Sequence, residues 1–136
     1  MTAQTVVLPW PRPLTQNETR RLHHYSEAAQ KKQLKMQARA VIRATQLTPT
    51  TGPVAVILTH RPADRRRRDT DGPAPALKTV LDALVDEDIL PDDNSMYVPK
   101  VMYHYLQPVP GEPAATWVTI APADWVTIAP PPKEDT

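Results

Sequence analysis

The sequence predicts a small α+β domain, a mixed sheet of about four strands packed with two main helices. Three observations lead there. Short runs rich in β-branched and aromatic residues, at 5–8, 54–60, 97–106 and 117–122, have the length and composition of strands. Two longer stretches, 26–45 and 75–88, repeat apolar residues at helical spacing. Proline-rich or turn-forming segments separate these elements, and the chain carries 17 prolines in 136 residues, well above the usual ~5%. At this length one domain is expected, large enough for a modest core.

Taken in order, residues 5–8 form a strand that must stop or lie at a sheet edge, because Pro9, Pro11 and Pro13 follow and cannot donate to a ladder. Residues 14–24 read as a connection, with Thr15 and Glu18 in capping-box spacing. The helix at 26–45 has no Gly or Pro and places Leu34, Ala38, Val41 and Ile42 on one face. Lys32, Lys35, Arg39 and Arg43 are expected roughly opposite, as a solvated face or one that tracks phosphates. Residues 47–53 break the chain before the strand at 54–60, whose near-continuous apolarity suggests a central position. Pro75 suits the first turn of the second helix, on which Leu77, Val80, Leu81, Leu84 and Val85 form a wide apolar stripe. Pro91 is expected to stop that helix, and Pro99 to confine the next strand to an edge. The hexapeptide at 117–122 recurs at 125–130, a repeat of period eight. The first copy is expected to be the last strand. The second, with a Pro-rich tail, is expected to lie outside the core and expose Trp125 and Ile128. The domain is therefore drawn at 1–122, with 123–136 appended.

The net charge of +1 conceals two unlike halves. Residues 1–68 hold 13 Lys/Arg against 3 Asp/Glu, and residues 69–136 hold 3 against 12. The halves can neutralise each other, or they can set a basic platform beside an acidic centre. There are no cysteines, which excludes disulfides, zinc–thiolate sites and cysteine nucleophiles. No apolar run is long enough to span a membrane, and the N-terminus lacks the features of a secretory leader. A cytoplasmic protein without membrane contact is expected. With three glycines and no Gly-rich phosphate loop, no organic cofactor is expected either.

The densest chemistry lies between residues 65 and 93. Arg65, Arg66, Arg67 and Arg68 run into Asp69 and Asp71, Lys78 follows, and Asp92 and Asp93 close the segment. In extended backbone, side chains two apart face the same way, so Asp69 and Asp71 can share one point. Carboxylates converging from two segments repel unless a cation sits among them, and an oxygen-only pocket suits a hard divalent ion such as Mg²⁺. The arginines would attract a polyanion, and Lys78 would neutralise charge developing on a phosphate. Each part also has a plainer reading: a solvated basic loop, an Asx-type turn at Gly72, a Lys78–Asp82 ion pair on a helix surface, and a helix-stop turn at Asp92 and Asp93. His23, His24, His60 and His104 show no zinc-ligand spacing and are read as structural or surface residues.

This constellation resembles the RusA family of Holliday junction resolvases, whose pattern is an arginine-rich lead, D-x-D-N, a lysine, D-x-L on a helix and a closing D-D. Here the matching residues are Arg65 to Arg68, Asp69 and Asp71, Lys78, Asp82 with Leu84, and Asp92 with Asp93. Gly72 stands at the family's Asn position, and Pro73, Ala74 and Pro75 lengthen the spacing to Lys78. The resemblance implies a RusA-like homodimer that uses Mg²⁺, with Mn²⁺ as a substitute, to resolve four-way junction DNA by paired symmetric nicks. It implies Asp69, Asp71 and Asp93 as metal-binding catalytic carboxylates, with Asp92 as a further ligand. It also implies Lys78 as the catalytic or DNA-contacting lysine. Arg65, Arg66, Arg67, Arg68, Arg20 and Arg21 complete the expected DNA-binding set. The alternatives are a branched-DNA-binding protein with a degenerate metal site, and an interaction module whose charged halves satisfy each other.

Overall fold

The computed structural model describes residues 2–10, 24–65 and 72–125, with backbone only for 24–27. The order of elements is β1 (Gln4–Leu8), α1 (His24–Thr45), β2 (Val54–Arg61), α2 (Ala74–Asp86), β3 (Lys100–Tyr105) and β4 (Ala115–Pro122), followed by a 3₁₀ turn at Ala123–Trp125. The strands form one mixed sheet in the order β1-β4-β2-β3. β2 and β3 are parallel, whereas β4 is antiparallel to both β1 and β2. A parallel pair needs a crossover, and α2 supplies it. The expected α+β class, four-stranded mixed sheet and two helices are therefore present.

β2 is central, as its apolar run predicts. Every residue from Val54 to His60 is buried. Val54, Val56 and Leu58 point to one side, where they join Val6, Leu8, Val118 and Ile120 from the flanking strands. Ala38 and Ile42 of α1, with Leu77, Val80 and Leu84 of α2, complete that core. Pro9 and Pro99 lie just outside β1 and β3, the two edge strands. Trp10, flanked by prolines, is itself a core residue, and its Nε1 donates to Gln37 Oε1 at 3.2 Å.

Two expectations need correction. α2 stops short of its expected end at Asp88. It ends at Asp86, and Asp88 adopts a left-handed conformation at φ 59°. Asp88 N–H then donates to Val85 O and Ile89 N–H to Leu84 O, so the last turn closes as a Schellman motif without glycine. The basic stripe of α1 does not lie opposite its apolar face. Residues 35, 39 and 43 sit one position after 34, 38 and 42, about 100° around the helix, and flank the core on the α2 side. Lys35 pairs with Asp86 at 2.7 Å, Arg39 with Glu87 at 2.9 Å, and Arg43 with Glu87 at 2.7 Å. Glu87 holds its proton less tightly than an ordinary glutamate, first because Arg43 and then because Arg39 donates to it.

The repeat raises the question of why the first copy is the strand. Residues 115–122 and 123–130 differ at one position only, Thr116 against Asp124. Thr116 is fully buried, and its Oγ1 lies 2.9 Å from His60 Nδ1. The same nitrogen is 3.1 Å from Ala115 O. A carbonyl only accepts, so the Nδ1 proton is directed at these two oxygens. This is the structural role expected of His60. A carboxylate at this point would enter a dry pocket at a cost of several kcal/mol, so the threonine copy is selected. Asp124 falls in the 3₁₀ turn, exposed, beside Trp125 at 59% exposure. Ile128 and the tail lie outside the described residues. Replacing Thr116 by Asp should lower unfolding stability by about 2–4 kcal/mol at pH 8 in urea denaturation. A variant as stable as the parent would refute this account of strand choice.

Candidate active site

Lys78 stands in the second turn of α2, on the side away from the buried stripe formed by Leu77, Val80, Leu81 and Leu84. After α2 the chain turns back, and Asp93 meets Lys78 from outside the helix. Lys78 Nζ lies 2.7 Å from Asp93 Oδ2 and 3.2 Å from Asp82 Oδ1. The Asp82 contact is the i, i+4 pair legible in the sequence, while the Asp93 contact spans fifteen residues and depends on the fold. The helix begins at Ala74, so the Pro73-Ala74-Pro75 segment falls at its start and Lys78 keeps its contact with Asp93.

The turn that carries Asp93 is built by its neighbours. Asp93 N–H donates to Asp92 Oδ1 at 2.7 Å, and Asn94 Nδ2 donates to Asp92 Oδ2 at 3.2 Å. Met96 N–H donates to Asn94 Oδ1 at 2.9 Å. Both Asp92 oxygens are thus used locally, and Asp93 is the carboxylate presented to Lys78. The hydrogen bond from Lys78 holds the Asp93 carboxyl below its ordinary pKa, against the opposing effect of partial burial. The Lys78 ammonium is raised in turn, first by Asp93 and then by Asp82.

Of the other expected site residues, Arg65 is exposed in the loop after β2. Asp69, Asp71, Arg66, Arg67, Arg68, Arg20 and Arg21 lie outside the described residues. Among the described residues no three His, Asp or Glu side chains gather to hold a metal. Asp93 and Asp82 supply hard oxygen donors of the kind Mg²⁺ takes, and Asp93 is the more enclosed, with its side chain 26% exposed against 41% for Asp82. Among the described residues no helix is long and apolar enough to cross a membrane.

Sequence reasoning missed that the basic side of α1 faces this same region. A groove of about 480 Å³ runs between α1 and α2, and Lys32 and Lys35 line it together with Lys78 and Asp82. The available signal was angular: cations one position after each core residue of α1 face the neighbouring helix, not open solvent. Compared with models of protein families, the chain has no match. Compared with curated proteins, it has none either.

Because Lys78 is about two-thirds exposed, its link to Asp93 contributes no more than ~1 kcal/mol and weakens with salt. The lowered Asp93 pKa gives stability that is present above the ordinary aspartate range, ~4, and is lost as pH falls through the depressed value. The raised Lys78 pKa gives stability that is present below ~10 and is lost as pH rises through the elevated value. Asp93→Asn should therefore cost at most ~1 kcal/mol at pH 7. It should also bring the Lys78 titration, followed by NMR at its Cε and Nζ, down toward the ordinary lysine range. An unmoved Lys78 titration would show that the two groups are not coupled in solution.

Proposed function

We propose that this chain is a Mg²⁺-dependent, structure-specific endonuclease of the RusA type that resolves four-way DNA junctions as a homodimer. The observation that carries the reading is the 2.7 Å contact between Lys78 and Asp93. The fold joins the lysine and the closing acidic pair of the motif, and Gly72, next to Asp71 in the chain, stands two residues before α2.

In this reading Asp69, Asp71 and Asp93 hold the metal, and Asp92 keeps Asp93 oriented through the turn hydrogen bonds. Bound Mg²⁺ supplies positive charge against phosphate oxygens and lowers the pKa of coordinated water. Lys78 releases part of its hold on Asp93 and turns its ammonium to a non-bridging phosphate oxygen, where negative charge develops. Arg65 to Arg68, with Arg20 and Arg21, neutralise backbone phosphates and position the strand without reading bases. A C2 homodimer presents two identical sites to the two equivalent strands of a junction. Mn²⁺ has compatible oxygen preferences and should substitute.

A second reading, a junction-binding protein that does not cleave, is favoured by Gly72 at the family's Asn position. The two readings separate on Asp71→Asn. The nuclease reading expects nicking of a labelled synthetic junction to fall at least ~100-fold (~2.7 kcal/mol of barrier,), while junction binding in EDTA stays within about threefold, since a metal ligand and not a phosphate contact is lost. Equal nicking by variant and parent would overturn the site assignment.

A further inference from the structure

The repeat gives the sheet two copies of one strand. Residues 115–122 form β4, hydrogen-bonded to β1 on one edge and to β2 on the other. Residues 123–130 repeat them, with Asp124 for Thr116 as the single change. Pro122 is followed directly by Ala123, so one chain fills the position with one copy only. Apart from Thr116, everything that β4 contributes has an identical residue eight places on. This holds for the fully buried Val118 and Ile120, for the Thr119 hydroxyl 3.4 Å from that of Thr5, and for the Trp117 ring under the Arg61 guanidinium at 5.9 Å.

Three differences set the balance between the two frames. In the second frame Asp124 would take the place of Thr116, whose Oγ1 lies 2.9 Å from His60 Nδ1 in a dry pocket. A carboxylate there disfavours that frame roughly a hundredfold. The connection from β3 would lengthen from residues 106–114 to residues 106–122, close to a doubling, which disfavours it roughly threefold more. Ala123 N–H donates to Pro53 O at 3.1 Å, whereas Pro131, eight places on, has no N–H. One lost hydrogen bond is worth roughly two- to tenfold. The largest of these factors resides in one side chain.

The frames also differ at Arg61, the last residue of β2. Arg61 pairs with Glu112 at 3.1 Å and donates to Pro113 O at 3.3 Å, just ahead of β4. The residues eight places on are Ile120 and Ala121, which offer a carbonyl but no carboxylate. We propose that the repeat is a frame switch. Either copy can serve as β4, the residue facing His60 makes the choice, and the second frame withdraws Glu112 from Arg61. The switch thereby changes the charge balance at the head of the segment that carries the arginine run. Because β4 is held on both edges, the frames exchange only when the sheet opens.

The test exchanges the one differing residue, Thr116→Asp with Asp124→Thr, in a chain that has no cysteine of its own. Parent and exchanged chain each receive Val118→Cys or Val126→Cys in turn. Each protein is refolded from urea so that the frames equilibrate, and its thiol is then timed against a labelling reagent. In the parent the Val118→Cys thiol should label at least ~100-fold more slowly than the Val126→Cys thiol. In the exchanged chain the order should reverse. An exchanged chain that still protects position 118 would show that the residue facing His60 does not choose the copy. One that leaves both thiols fully reactive would show that the second copy cannot complete the sheet. Either result would overturn the proposal. Asp124→Thr alone makes the two copies identical, leaving only loop length and one hydrogen bond between the frames. It should populate the second frame to about 3–15%, seen as a second, slowly exchanging NMR signal from the Arg61 side chain. A single signal would contradict the proposal.

Discussion

The structure depends first on the burial of β2. Hydrogen-bonded to β4 on one edge and β3 on the other, with residues 54–60 buried throughout, it cannot shift register without moving its apolar side chains to the wrong side of the sheet. Its parallel pairing with β3 requires a crossover, and that places α2 over the core. The loop with the arginine run and the first acidic pair must then leave the end of β2 and return at the start of α2. The closing acidic pair must follow the end of α2. One buried strand thereby fixes the crossover helix that carries Lys78, and the chain that turns back after it brings Asp93 to that lysine.

The second constraint is electrostatic. The basic half of the chain and the acidic half meet at α1 and α2. Lys35, Arg39 and Arg43 take Asp86 and Glu87, and Lys78 takes Asp82 and Asp93. These pairs are partly solvated, so each contributes little to stability. Their effect is to orient α2 against α1. Charge from the two halves is thus paired directly across α1 and α2.

Periodicity made most of the fold legible. The central strand, both helices and the edge positions marked by Pro9 and Pro99 follow from residue spacing. Three features did not. The end of α2 is set by Asp88 in a conformation usually taken by glycine, so residue type gave no stop signal. The direction of the α1 cations depends on where α2 packs, which is a tertiary fact. The choice between repeat copies rests on Thr116 and its bond to His60, visible only once β4 and β2 are paired. For the site, the Lys78–Asp82 pair was readable from helical spacing, whereas the Lys78–Asp93 contact was not, because no local rule joins residues fifteen apart across a turn. Asp69 and Asp71 lie outside the described residues, and their roles rest on the motif.

The most direct measurement of the central claim compares a synthetic four-way junction with a linear duplex of matched sequence, each incubated with the purified chain in Mg²⁺ and in EDTA, and maps every strand on denaturing gels. The account predicts paired nicks at symmetry-related positions, on the junction alone and in Mg²⁺ alone. A junction that is bound and retarded but stays intact in Mg²⁺, or a duplex cut as readily as the junction, would contradict it.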